Sequence, residues 1–113
     1  VALGELNYDA RQRGTVVETE PEAAQRSIRD LLARLRSVRQ HPCQANLQLH
    51  VLARREGPSV EGLPTSLGRE LAFVLHHTIH HASLIAVILT GLGIPVPDDF
   101  GFAPATPLPR QDA

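Results

Sequence analysis

The sequence predicts a mainly α-helical protein that carries one short pair of β-strands. Two stretches, residues 20–39 and residues 66–90, place apolar side chains at the spacing of an α-helix. Between them, residues 46–63 alternate apolar and polar side chains, which is typical of strands. Prolines recur after residue 93 and exclude regular structure there. We therefore expect two long helices, a strand pair between them and an irregular tail.

The first helix is predicted over residues 20–39. Thr19 can cap it, Pro21 suits the first turn, and Glu22 completes a capping box. Pro42 ends it, because the residue before a proline disfavours helical geometry. One face carries an apolar stripe that should pack on the second helix, and arginines surround the rest as a solvated surface. The stripe consists of Ala24, Ile28, Leu31, Leu32, Leu35 and Val38.

The strand pair is predicted over residues 46–53 and residues 59–63. Apolar and polar side chains alternate along the first of these segments. A polar turn at residues 54–58 joins the two strands. His50 falls on the mixed face of the first strand, so we expect a surface histidine there.

The second helix begins after the capping residues Thr65 and Ser66 and ends near Gly91. The apolar stretch at residues 71–92, which makes up most of this helix, is long enough to span a bilayer, yet four histidines and Thr78 interrupt it. The helix is apolar almost all round, which predicts that it is mostly buried.

The start of the chain shows features of a helix end followed by a loop. Residues 1–3 and Gly4 resemble a last helical turn and its glycine stop, which predicts a missing upstream segment. The polar segment that follows contains Tyr8, Arg11 and Arg13. These side chains are either a lip that positions a polar substrate or a solvated loop with a salt bridge.

Composition describes an ordinary globular protein. The chain has 113 residues, 42% hydrophobic and 20% charged, enough for a single domain over residues 1–113. Eleven basic and twelve acidic side chains leave a net charge of −1, so we expect neither a nucleic-acid nor a membrane partner. Cys43 is the only cysteine, which excludes an internal disulfide and predicts a cytoplasmic protein.

Four histidines in the second helix are the main functional signal. His77 and His81 lie one turn apart on one face, and His80 lies beside them, whereas His76 points elsewhere. Neutral imidazoles at this spacing can converge on one divalent cation. The alternative is a set of structural histidines that are buried and hydrogen-bonded. The sequence favours a metal site at His77 and His81.

Three motifs carry a resemblance to a known family. They are RELAFVLHHTIHH at residues 69–81, LIAVIL directly after it, and IPVPDDFGFAPAT at residues 94–106. Together they resemble the C-terminal half of a DinB-like protein, and LNYDARQRGTVVETE at residues 6–20 resembles an earlier segment of such proteins. The resemblance implies a truncated up-down-down-up four-helix bundle with a short hairpin-like insertion. The irregular tail, residues 94–113, would then dock on the bundle.

The resemblance also implies a metal site. His77 and His81 match the paired ligands of such proteins, and His80 and Glu70 are expected either to orient those ligands from behind or to act as alternative ligands. The third histidine ligand would lie upstream of Val1. The expected cofactor is a divalent ion, Zn²⁺, Ni²⁺ or Fe²⁺.

The function implied is that of a metal-dependent hydrolase or a small-thiol S-transferase. Its partner would be a small molecule such as a low-molecular-weight thiol, and a homodimer is a further expectation. The alternative is a non-catalytic, ligand-binding or oligomeric helical protein whose histidines are structural.

Overall fold

The structure is a computed structural model that describes residues 4–108, and it shows an α+β arrangement. Three strands form one mixed sheet in the order β1–β2–β3: β1 (Gly4–Asn7), β2 (Asn46–Leu52) and β3 (Ser59–Ser66). The helices are α1 (Pro21–Val38) and α2 (Leu67–Gly91), and a short 3-10 helix (Val16–Glu18) precedes α1. The predicted four-helix bundle is therefore wrong. Both predicted helices and the strand pair are present.

The sheet depends on a parallel strand that the sequence did not reveal. β1 pairs in parallel with β2, with Asn7 opposite His50. The Tyr8 N–H continues this ladder by donating to the carbonyl of His50 at 3.1 Å. Asp9 Oδ2 then accepts the Leu52 N–H at 2.6 Å. Gly4, predicted as a helix stop, and the start of the predicted polar loop after it are thus a strand. The predicted helical turn at residues 1–3 lies outside the described residues.

The hairpin confirms the alternating pattern. β2 and β3 run antiparallel, with Leu49 opposite Leu63, and a register shift lies between Leu49 and Val51. Leu49 of β2 is buried, and so is Ala45, which directly precedes this strand. β3 extends to Ser66, three residues beyond the predicted end.

α1 confirms the predicted helix but not its cap or its packing. The N-cap residue is Glu20, which makes no side-chain cap bond, so the capping box led by Thr19 is wrong. Ala23, at the first turn, is the buried residue of this helix. The middle of the apolar stripe is exposed. The exposed stripe residues are Ile28, Leu31, Leu32 and Leu35.

α2 starts from the sheet through backbone hydrogen bonds. The Leu67 N–H donates to the Ala45 carbonyl at 2.9 Å, and the Gly68 N–H donates to the Cys43 carbonyl at 2.8 Å. Helix starts leave such donors without intrahelical partners, so these two bonds satisfy part of the first turn. By length and composition alone, α2 could cross a membrane, and none of its most apolar window is buried. The predicted burial of this helix is therefore wrong.

The chain divides into two compact units, Val1–Arg69 and Glu70–Ala113. The first contains the sheet and α1. The second contains most of α2 and the segment that follows it. There, the Ile94 N–H donates to the Leu89 carbonyl at 2.9 Å and Gly93 adopts φ 71°, which is a glycine-terminated helix end. The predicted helix end near Gly91 is confirmed.

Candidate functional site

His77 and His81 face each other on α2. Their Nε2 atoms lie 3.0 Å apart, and their ring centroids are separated by 4.6 Å at an interplanar angle of 75°. The His80 ring lies 5.7 Å from that of His81 and 6.3 Å from that of His77. Phe73 stacks on His77 at 5.5 Å, which helps to fix the ring. The i,i+4 spacing therefore brings the two nitrogens together, as the sequence predicts.

Two ring nitrogens at this distance can interact in two ways. Either the N–H of one ring donates a hydrogen bond to the nitrogen of the other, or both nitrogens direct lone pairs at a cation. Ligand nitrogens 2.0–2.1 Å from one ion, at tetrahedral or octahedral angles, lie about 2.9–3.4 Å apart. The observed separation of 3.0 Å falls within that range.

The environment of the four histidines differs from the prediction, which placed them in a buried site. His76, His77, His80 and His81 are all exposed. Within residues 4–108, no group of three or more His, Cys, Asp or Glu side chains has a geometry that could hold a metal ion. The described residues therefore supply no three-ligand metal centre, and a divalent ion held by His77 and His81 stays a prediction.

The remaining predicted site residues are distributed over the two units. Glu70 belongs to the second unit with the histidines and is buried, with 6% of its surface exposed. Tyr8, Arg11 and Arg13 belong to the first unit, where Tyr8 is half-buried and both arginines are exposed. That Glu70 or His80 orients the paired histidines, and that residues 8–13 form a substrate lip, stay predictions.

A second candidate site lies in the Glu70–Ala113 unit. α2 and residues 100–106 enclose an open cleft of about 460 Å³, which the sequence alone did not predict. Its lining is mostly apolar, with Ser83 and Thr106 as polar side chains. The other lining residues are Ile79, Ala86, Val87, Phe100, Gly101, Phe102 and Ala103.

Gly101 determines how closely the tail approaches α2. It adopts φ 84°, and a Cβ at this position would lie 2.8 Å from Ser83 Cα. The Ser83 hydroxyl lies within hydrogen-bond distance of two carbonyls, that of Gly101 and that of Ile79, the latter at 3.0 Å. The signal that could have revealed this contact is a glycine between two phenylalanines in a proline-rich tail.

Comparison with known proteins gives one partial similarity. The chain is 32% identical over 101 residues to FK506-binding protein 5 of Rhizopus delemar. The aligned region covers 89% of this chain and 26% of that protein, so the chain spans about a quarter of its relative. No family model and no solved structure matches the chain.

These comparisons correct the resemblance drawn from the motifs. The relative found is an FK506-binding protein, and no family model supports a DinB-like protein. The mixed three-stranded sheet also differs from a helical bundle. The identification as a DinB-like protein is wrong, and so is the hydrolase or S-transferase function that it implied.

Proposed function

We propose that the cleft between α2 and residues 100–106 binds an apolar small molecule. The observation that supports this proposal is the cleft itself. It is concave and mostly apolar, and its volume of about 460 Å³ lies within the range of ordinary ligand pockets, roughly 300–1,000 Å³. Phe100 and Phe102 supply apolar area, and the hydroxyls of Ser83 and Thr106 can orient a ligand. The partial similarity to an FK506-binding protein makes FK506 the first ligand to test.

Titration of the chain with FK506, followed by NMR signals of the two phenylalanines, tests this proposal. Val87 lines the cleft and is 72% exposed, so Val87→Asp should fold normally while placing a charge beside the ligand. We expect binding to weaken about tenfold, which corresponds to about 1.4 kcal/mol.

Val74→Asp is the matched control, because Val74 is also exposed on α2 and does not line the cleft. Affinity should be unchanged in this variant. No saturable binding of FK506 would reject FK506 as the ligand. Equal loss of affinity in the two variants would show that the cleft is not the site.

A second candidate function is binding of a divalent cation by His77 and His81. We infer it from the 3.0 Å separation of their Nε2 atoms, and Zn²⁺, Ni²⁺ and Fe²⁺ all accept imidazole ligands. The proposal concerns this exposed pair alone and implies no reaction.

Titration with Zn²⁺, followed by calorimetry, tests whether His77 and His81 bind the ion. His77→Ala or His81→Ala each removes one of the two nitrogens and should weaken Zn²⁺ binding at least about tenfold. His76→Ala is the control, since its imidazole is exposed on the same helix, and it should leave affinity unchanged. If His76→Ala were as damaging as the other two variants, the assignment would be wrong.

A further inference from the structure

The apolar stripe of α1 is open to solvent along its middle. Ile28, Leu31, Leu32 and Leu35 are each exposed over half of their surface or more. The buried residue of this helix, Ala23, lies in the first turn and, at about 100° per residue, on a different side from the stripe. The burial of α1 therefore leaves a row of large aliphatic side chains uncovered.

Arginines border this stripe on both sides. At about 100° per residue, Arg34 lies along one border and Arg36 along the other, and Arg39 follows at the C-terminal end. All three are exposed, and the structure records no ion pair between them and another residue of the range 4–108. The two carboxylates of the helix, Glu22 and Asp30, lie farther round, toward the opposite face. Both borders of the stripe therefore carry positive charge.

This arrangement complements an anionic lipid surface. A helix with leucines on one face and arginines beside them lies in the plane of a membrane interface, with its apolar face at the boundary of headgroups and acyl chains. Arginine stems can lie along the apolar surface while their guanidinium groups reach the lipid phosphates. Aliphatic side chains between two cationic borders match both layers of such a surface.

A second copy of α1 complements the same borders less well. Toward the N-terminal end of the helix, the border residues are Gln25 and Ser27, which are uncharged. In a parallel helix pair, arginines would face arginines, which is unfavourable, and in an antiparallel pair they would face these neutral side chains. The charge at the borders therefore favours an anionic surface over self-association.

We propose that α1 binds the surface of an anionic membrane through its apolar stripe. Leu31, Leu32 and Leu35 enter the boundary between headgroups and acyl chains, and Arg34 and Arg36 contact lipid phosphates. The helix lies on the membrane and does not span it. The net charge of −1, which predicts no membrane partner, does not reveal this local excess of positive charge.

Flotation of the full chain with lipid vesicles tests the proposal. The chain should bind vesicles made of equal parts of phosphatidylcholine and phosphatidylglycerol. Binding to vesicles of phosphatidylcholine alone should be at least about tenfold weaker, because they lack the anionic headgroups. Equal binding to the two kinds of vesicle, or binding to neither, would overturn the proposal.

Matched leucine substitutions show which helix contacts the lipid. Leu31 on α1 and Leu75 on α2 are each 55% exposed, so both can be replaced without opening a core. Leu31→Gln should weaken binding to the anionic vesicles about tenfold, because it places an amide among acyl chains. Leu75→Gln should leave binding unchanged. An equal loss in the two variants would exclude the stripe of α1 as the membrane contact.

Arginine substitutions test the border charges. Arg36→Gln should weaken binding about fivefold, the contribution of one arginine close to an anionic surface. Arg55→Gln removes the same charge from the exposed turn between β2 and β3 and should leave binding unchanged. If Arg55→Gln were as damaging, the effect would be one of net charge, and the proposed orientation of α1 would be wrong.

Analytical ultracentrifugation without lipid tests the competing occupant. A monomer leaves the stripe free for a membrane, as we expect. A dimer that Leu31→Gln dissociates would mean that a second copy covers the stripe, and it would overturn the proposal.

Discussion

At the scale of single residues, Gly101 allows the tail to contact α2. Its φ of 84° lies in the left-handed region, where glycine avoids the steric cost of a Cβ. A Cβ there would also lie 2.8 Å from Ser83 Cα and 2.9 Å from Ser83 N. Both atoms belong to the helix backbone, which cannot move aside without distorting α2. The apolar cleft therefore depends on the absence of one methyl group.

Gly101→Ala should detach residues 100–106 from α2. We expect NOEs between the phenylalanine rings and α2 to disappear, and FK506 binding, where the wild type shows it, to disappear with them. Gly93→Ala is the matched control, because Gly93 also has a positive φ of 71° but nothing lies within 4 Å of an added Cβ. It should cost about 1 kcal/mol of backbone strain and keep the NOEs. Loss of the NOEs in both variants would show that strain alone, not close approach, controls the contact.

At the scale of elements, β2 contains a buried leucine, whereas the leucines in the middle of α1 are exposed. Leu49 on β2 is 8% exposed, whereas Leu31 on α1 is 55% exposed. Burial of apolar area is the main favourable term in folding, so equal substitutions should have unequal effects. The sheet, rather than the apolar stripe of α1, stabilises the first unit.

Leu49→Ala should lower the free energy of unfolding by about 2–3 kcal/mol, because it removes a buried side chain and leaves a cavity. Leu31→Ala should change it by at most about 0.5 kcal/mol. Urea unfolding followed by circular dichroism measures both values. A larger loss for Leu31→Ala would mean that the α1 stripe is covered in solution, as a homodimer through this helix would require.

At the scale of the whole molecule, local patterns predicted the elements but not their packing. The apolar periodicities of α1 and α2 and the alternation in β2 were sufficient to predict both helices and the hairpin. β1 could not be predicted in this way, because a four-residue strand depends on its partner about 43 residues later in the chain. The histidine site was likewise predictable only in its local geometry. Helical spacing predicted that the ring nitrogens of His77 and His81 face each other, whereas the exposure of the two rings depends on tertiary packing.

The sequence overestimated the burial of the apolar helix faces for a physical reason. An apolar helix face predicts burial only when the chain supplies a surface to cover it. Among the described apolar residues, Ala23, Ala45 and Leu49 are buried, and most of the large side chains of both helices remain exposed. The resemblance to a bundle then assigned those faces to helices that residues 4–108 do not contain.

The attachment of α2 to the sheet has a practical consequence for spectroscopy. The Cys43 carbonyl accepts the Gly68 N–H at the first turn of α2, and Cys43 is exposed and is the chain's single cysteine. A maleimide fluorophore would therefore attach at one defined position without any engineered change. Its emission would respond to fraying of the first turn of α2, so the native thiol can report local unfolding where β3 passes into α2.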